Sequence, residues 1–169
     1  MFKRKILSKL EAWKKDERHK PLILRGARQV GKTTVVNEFG SQFDNYLYFN
    51  LEMSESVRLF EMDIPLNDLV NMLFASLGKS QKKGSTLIFI DEIQNSPKTI
   101  ALLRYFYEQR PDLYVIAAGS LLENLVDVNV SFPVGRVMYL ALRPCSFYEF
   151  LGAIGKNNLL TILSQKAEY

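Results

Sequence analysis

The chain has 169 residues, of which 47% are hydrophobic, 24% charged and 12% aromatic, proportions that fit one folded domain. That apolar and aromatic content excludes a disordered chain. No run approaches the roughly 20 consecutive apolar residues of a membrane-spanning helix. The net charge of +4 resides in the first 20 residues, which carry +5, whereas the remainder carries −1. The basic character therefore belongs to one segment. A solvated lysine-rich helix face explains it more simply than a nucleic-acid surface. Cys145 is the single cysteine, which excludes an internal disulfide and a cysteine-based zinc site and makes a reducing cytoplasm the default location.

From Phe2 to Asp16 the apolar residues Phe2, Ile6, Leu10 and Trp13 recur at helical spacing between lysines. This is an amphipathic helix without the unbroken apolar stretch of a secretory leader. Pro21 opens a short strand, Leu22 to Leu24. The glycine-bounded loop Gly26 to Gly31 follows, then a helix from Lys32 that ends at Gly40. Tyr46 to Leu51 reads as a second strand. Helices are expected near Ser54 to Met62 and Leu66 to Leu77, the latter with Leu66, Leu69, Val70, Leu73 and Leu77 on one face. Thr86 to Ile90 is a continuous apolar strand ending at Asp91-Glu92. Ser96-Pro97 starts a helix, with serine as cap and proline in the first turn, and Pro111 stops it.

The fourth strand, Leu113 to Ala118, ends at Gly119-Ser120. A short helix near Leu121 to Leu125 and a loop from Asp127 to Gly135 lead to a fifth strand, Val137 to Leu142. Further helical segments are expected near Ser146 to Leu151 and Asn158 to Lys166. Several strands are apolar on both faces and most alternate with helices. That pattern specifies a parallel sheet covered on both sides, an α/β fold of three layers.

Gly26-Ala27-Arg28-Gln29-Val30-Gly31-Lys32-Thr33 matches G-x-x-x-x-G-K-S/T in full, and Thr34 follows. The glycines let backbone N–H groups wrap phosphate closely, and the helix that follows adds its positive end. The Lys32 ammonium is expected on the β- and γ-phosphates and the Thr33 hydroxyl on Mg²⁺. Arg28 and Gln29 lie inside the loop, where backbone matters more than side chain. Asp91, ending a buried strand at the same sheet edge, is a second Mg²⁺ ligand, direct or through water. Glu92, turned a different way by the strand pleat, is placed to orient an attacking water. Ser120 leaves the next strand. If that strand lies between the first and third, its hydroxyl reaches the γ-phosphate or the water, and it can also cap the following helix.

The sequences GARQVGKTT, IFIDEIQ, AAGS, Gly135-Arg136 and LRPCSFYEFL together resemble an AAA+ type P-loop ATPase. More narrowly they resemble the bacterial and archaeal group that carries an uncharacterised C-terminal domain after the ATPase core. The resemblance spans roughly Leu22 to Leu151. It implies a P-loop NTPase sheet of order 5-1-4-3-2, ATP with Mg²⁺ as ligand, and catalytic roles for Glu92, Ser120 and Arg136. Arg136 would be an arginine finger reaching a neighbouring subunit, with action within its own subunit or bracing of the preceding loop as alternatives. The chain then divides into a basic N-terminal helix packed on the core (1–20), the ATPase core (21–151) and the start of a lid or linker (152–169). It departs from the family pattern by stopping at Tyr169, soon after the fifth strand. The expectation is therefore a fragment of a longer protein.

ATP hydrolysis is the leading expectation. A nucleotide-gated switch or binding module shares the same motifs and differs only in turnover. A small-molecule kinase shares the first motif but has no use for a water-activating glutamate beside Asp91. Expected partners are ATP or ADP, with a homo-oligomer or C-terminal domain in the full chain; nucleic acid is weakly supported and a membrane is not expected. Of the remaining candidates, His19 is expected at the surface, Cys145 as a small packing residue, and Phe147, Tyr148 and Phe150 in the core.

Overall fold

The computed structural model describes residues 4–120, 133–156, 158–159 and 162–163. Among them are α1 (Ile6–Lys15), β1 (Leu22–Arg25), α2 (Lys32–Gly40), β2 (Asn45–Asn50), α3 (Ser54–Phe60) and α4 (Leu66–Ser76). These are followed by β3 (Thr86–Asp91), a single 3₁₀ turn (Ile93–Asn95), α5 (Pro97–Gln109), β4 (Leu113–Gly119), β5 (Met138–Ala141) and α6 (Phe147–Ala153). The expected Phe2 start of the first helix, the helix at Leu121 to Leu125 and most of the Asp127 to Gly135 loop lie outside the described residues.

The five strands form one sheet in the order β2-β3-β4-β1-β5, the expected 5-1-4-3-2 read from its other edge. Every pairing is parallel. The pleat divides the apolar residues between two cores. Ile23, Ile88, Ile90, Val115 and Ala117 face α3, α4 and α5. Leu22, Leu24, Leu87, Phe89, Ile116 and Ala118 face α1 and α2. Each central strand thus supplies both layers, which is why the sequence lacks alternation there. The edge strand β2 does alternate between buried and half-buried positions.

Helix boundaries follow local chemistry. The Ser96 hydroxyl caps α5 by accepting from the Thr99 N–H at 3.2 Å, with Pro97 at the first helical position. At α6 the Ser146 hydroxyl accepts from the Glu149 N–H, and the Glu149 carboxylate accepts from the Ser146 N–H at 2.8 Å, a complete capping box.

Three expectations are corrected. His19 is buried: its ring stacks on Tyr114 at 4.0 Å, meets Trp13 edge-on, and sets its nitrogens near the carbonyls of Asp16 and Leu113. The charged sequence around it concealed this, because the turn after α1 folds the ring beneath the helix. Phe147, Tyr148 and Phe150 are exposed rather than core, Phe147 at 61%. The helix α6 follows the edge strand β5 and buries only Leu151. Cys145 is exposed in the turn before α6.

Helix α1 is an integral part of the domain. Ile6, Leu7, Leu10 and Trp13 are buried, and the Trp13 indole N–H donates to the Lys20 carbonyl at 2.8 Å. Trp13→Ala is expected to lower unfolding free energy by about 3–5 kcal/mol, since it removes a large buried ring and leaves a cavity. Urea denaturation followed by circular dichroism measures this; a loss under about 1 kcal/mol would mean that α1 contributes little to the fold.

Candidate functional site

The loop Gly26 to Gly31 joins β1 to α2 at the carboxyl edge of the sheet. Space and backbone shape fix its glycines. A Cβ on Gly26 would lie 2.3 Å from the Leu142 carbonyl oxygen, and Gly31 has φ of 92°. Gln29 shares this left-handed region at φ 62°, uncommon for a residue with a side chain. Val35 N–H donates to the Gly31 carbonyl at 3.0 Å, the first bond of the α2 ladder. The N–H groups of Lys32, Thr33 and Thr34 precede that ladder and form the positive end of the helix. Ala27, Arg28, Gln29 and Thr34 are exposed at the loop surface, and Val30 is buried beneath it.

The Lys32 side chain is buried, and its ammonium donates to the carbonyls of Gly26 and Ala27, each at 2.8 Å. The cation is thus folded over the loop that a phosphate would occupy. The Thr33 hydroxyl donates to Asp91 Oδ2 at 2.6 Å. Burial raises the Asp91 carboxyl above its ordinary 3.8, against the lowering influence of the Thr33 hydroxyl and the Glu92 N–H, which donates to Oδ1 at 3.1 Å. Two hard oxygen donors therefore meet at one point, the donor chemistry that suits Mg²⁺. Among the described residues no cluster of three or more His, Cys, Asp or Glu side chains could enclose a metal. An ion here would draw its other ligands from phosphate and water.

Glu92 follows directly, with φ 53° and ψ 45°. That left-handed backbone is costly for a glutamate and turns its half-buried side chain away from the strand direction. Its carboxylate accepts from Gln94 Nε2 at 2.5 Å. Gln94 was not singled out from sequence, although it ends the IFIDEIQ motif; the tight turn after β3 brings it back to Glu92.

Ser120 completes the edge. Strand β4 does lie between β1 and β3, and Arg25 pairs with Gly119, so Ser120 sits beside the start of the phosphate loop. The hydroxyl is buried and has no hydrogen-bond partner among the described residues; Gln94 Oε1 is the other such atom. Both orphaned atoms belong to segments that leave β3 and β4 at this edge, where a bound group would satisfy them.

Arg136 stands elsewhere. Leu22 pairs with Met138 and Arg25 with Ala141, so Arg136 lies at the amino edge, six residues or about 20 Å of extended chain from the level of Gly26. Contact with a phosphate held there is beyond its reach. It instead donates to Glu108 at 3.2 Å and to the Val134 carbonyl at 3.5 Å, bracing the preceding turn. Another residue passed over in the sequence is Arg4, whose buried guanidinium donates to the phosphate-loop carbonyl of Val30 at 3.0 Å. Its signal was hidden among seven other basic residues in the first 20.

The AAA domain family profile matches residues 18–151. The chain belongs to the AAA domain family. Its parallel five-stranded sheet has the order of an AAA+ P-loop ATPase. No curated protein matches this AAA domain by sequence. Among solved structures, it is similar to a chain of the Drosophila origin recognition complex (ORC) bound to DNA, with 16% identity and a TM-score of 0.56 over 94% of its length. It is also similar to the ORC1 protein of Aeropyrum pernix in complex with DNA, with 15% identity and a TM-score of 0.53 over 91%. The AAA domain spans 48% of each of those chains, and at such identity the likeness concerns the fold. No helix among the described residues is long and apolar enough to cross a membrane.

Two measurements test the energetics. The raised Asp91 pKa means that the folded state holds this proton more tightly than the unfolded chain, so ionised Asp91 opposes folding at neutral pH. In Asp91→Asn the amide oxygen still accepts from Glu92 N–H, and the amide N–H can donate to the Thr33 hydroxyl. Stability at pH 7 is expected to equal or exceed wild type, with the gain shrinking as pH falls toward 3.8; a clear loss at pH 7 would contradict the assignment. Ser120→Ala removes an orphaned hydroxyl that costs about 1–3 kcal/mol when unsatisfied. Its melting temperature without ligand is expected to hold or rise, and a drop of more than about 4 °C would show that the hydroxyl is satisfied.

Proposed function

We propose that this AAA domain binds ATP with Mg²⁺ and hydrolyses it to ADP and phosphate. The reading is carried by the meeting of the phosphate loop, the Thr33–Asp91 pair, Glu92 and Ser120 on one sheet edge. Gly26, Ala27, Arg28, Gln29, Val30 and Gly31 form the loop around the phosphates, and Lys32, Thr33 and Thr34 present the helix end. Lys32 exchanges the carbonyls of Gly26 and Ala27 for β- and γ-phosphate oxygens. Thr33 and Asp91 hold Mg²⁺, which when bound neutralises charge on the phosphate oxygens. Glu92 orients the attacking water and accepts its proton, while Ser120 donates to the γ-phosphate or to that water. Arg136 serves the site of a neighbouring subunit, since its own lies at the other edge. Transfer to water depends on positioning and charge neutralisation, which these groups supply.

A second reading, a nucleotide-gated switch with little turnover as a single chain, is favoured by the hold of Gln94 on Glu92 and by the distance of Arg136. Both leave an isolated subunit incomplete for hydrolysis. A role on nucleic acid draws on the DNA in the two similar structures and on the basic segment, but several of those charges are engaged internally. Arg4 is buried, Lys14 donates to the Gln42 carbonyl and covers the Phe43 ring, and Lys20 lies over Tyr107.

Steady-state ATPase rate against protein concentration, with ATP binding measured in parallel, tests both readings. The expected result is turnover per molecule that rises with concentration and falls about 10²–10⁴-fold in Glu92→Gln. Arg136→Ala should then lose about 10³-fold or more. Binding without turnover above the Glu92→Gln blank would overturn hydrolysis by this chain and leave the switch. Absence of ATP binding would overturn both.

A further inference from the structure

Two features remain unused by that reading: the buried arginine ahead of α1 and the SFYE segment that opens α6. They meet at the phosphate loop. Arg4 donates through Nη1 to the Val30 carbonyl at 3.0 Å, through Nη2 to the Arg143 carbonyl at 2.7 Å, and through Nε to Glu149 Oε1 at 3.2 Å. Both side chains of this ion pair are more than nine-tenths buried. Glu149 Oε1 also accepts from the Lys5 N–H at 2.9 Å, while its other oxygen closes the capping box of α6. Burial penalises the Glu149 charge, but the N–H groups of Ser146 and Lys5, the Ser146 hydroxyl and the Arg4 guanidinium outweigh it and hold the carboxyl down at about 2. The pair is therefore ionised at neutral pH.

The segment carrying Arg143 is itself fastened to the loop. Leu142 N–H donates to the Arg25 carbonyl at 2.7 Å, and the Leu142 oxygen packs against Gly26. The loop is thus gripped at its start by Leu142 and at its end by Arg4. The second grip has a directional consequence. Val30 C=O and Gly31 N–H share one planar trans peptide, in which the two groups point in opposite directions. A guanidinium that fixes the carbonyl on the outside of the loop therefore fixes the Gly31 N–H toward its inside, where an anion binds.

We propose that Arg4, held by Glu149, is a positioning residue that aims the Gly31 N–H at the bound phosphates and so sets nucleotide affinity. The inference rests on the phosphate loop being the nucleotide site, as argued above. It makes the N-terminal segment and the start of α6 parts of the binding device rather than surrounding scaffold. Arg4 and Glu149 do not touch the ligand, and they act through the Val30–Gly31 peptide.

The test is titration calorimetry of Mg²⁺-ADP on the 169-residue chain, its Arg4→Lys and Glu149→Gln variants, and the double variant. Circular dichroism and thermal melting establish that each is folded. The expected result is a loss of about 10–100-fold in ADP affinity for each single variant, the usual size for a supporting residue behind a binding group. The double variant should lose no more than the worse single one, because both act through one chain of contacts. Unchanged affinity in a folded variant, or losses that add, would overturn the proposal. A variant that does not fold is replaced by the paired change Arg4→Met with Glu149→Met, which leaves no lone buried charge; wild-type affinity there would also overturn it. If the unaltered chain binds no ADP, the nucleotide-site reading itself fails, a result distinct from unchanged affinity in the variants.

Discussion

Parallel pairing governs this molecule. Because β1, β3, β4 and β5 run in one direction, every strand delivers its last residue to the same edge. That edge collects the phosphate loop from β1, Asp91 and Glu92 from β3 and Ser120 from β4, although they span almost a hundred residues of sequence. The same arrangement sends the residues that precede each strand to the opposite edge. Arg136 is there for that reason. In open α/β sheets the carboxyl edge is where ligands bind, since the strands end there and helices begin.

The price of parallel strands is burial on both faces, and this chain meets it with two separate cores. One is built by α3, α4 and α5, the other by α1 and α2. Trp13, His19, Phe39, Phe43 and Tyr114 join in a continuous set of ring contacts that seats α1 on the second face. The candidate site departs from this economy. It holds a desolvated carboxylate, a glutamate in left-handed backbone, and two buried polar atoms without hydrogen-bond partners among the described residues. Each is unfavourable for folding alone, and the proposed nucleotide with its cation would offset the desolvation of Asp91 and satisfy the orphaned polar atoms. Such concentration of local cost in one place separates a site from scaffold.

The N-terminal segment links these two regimes. Its apolar face completes a core, while Arg4 at its head reaches the phosphate loop and the start of α6. The same short stretch therefore packs a core and braces the Gly26 to Gly31 loop. Several of its lysines are engaged as well, Lys14 on the Gln42 carbonyl and the Phe43 ring and Lys20 over Tyr107.

The sequence alone determined the layered α/β class and the strand order through resemblance, and it pointed to the loop and the strand ends as the candidate site. Those features are local: a glycine pattern, a helix cap, an apolar run that stops at two acids. Element boundaries fell within one or two residues for β2, β3, β4 and α5, and Gly, Pro and Ser flank the last three directly. Tertiary structure decided the rest. His19 is buried because a turn folds it under Trp13, and the α6 aromatics are exposed beyond the edge strand, with Phe147 stacked on Phe150 and Lys5 over Tyr148. Arg4 and Gln94 gain their roles from partners that composition cannot name. The distance from Arg136 to its own loop follows from the direction of β5. A side chain's type is written in one residue, but its surroundings depend on where the backbone carries every other residue.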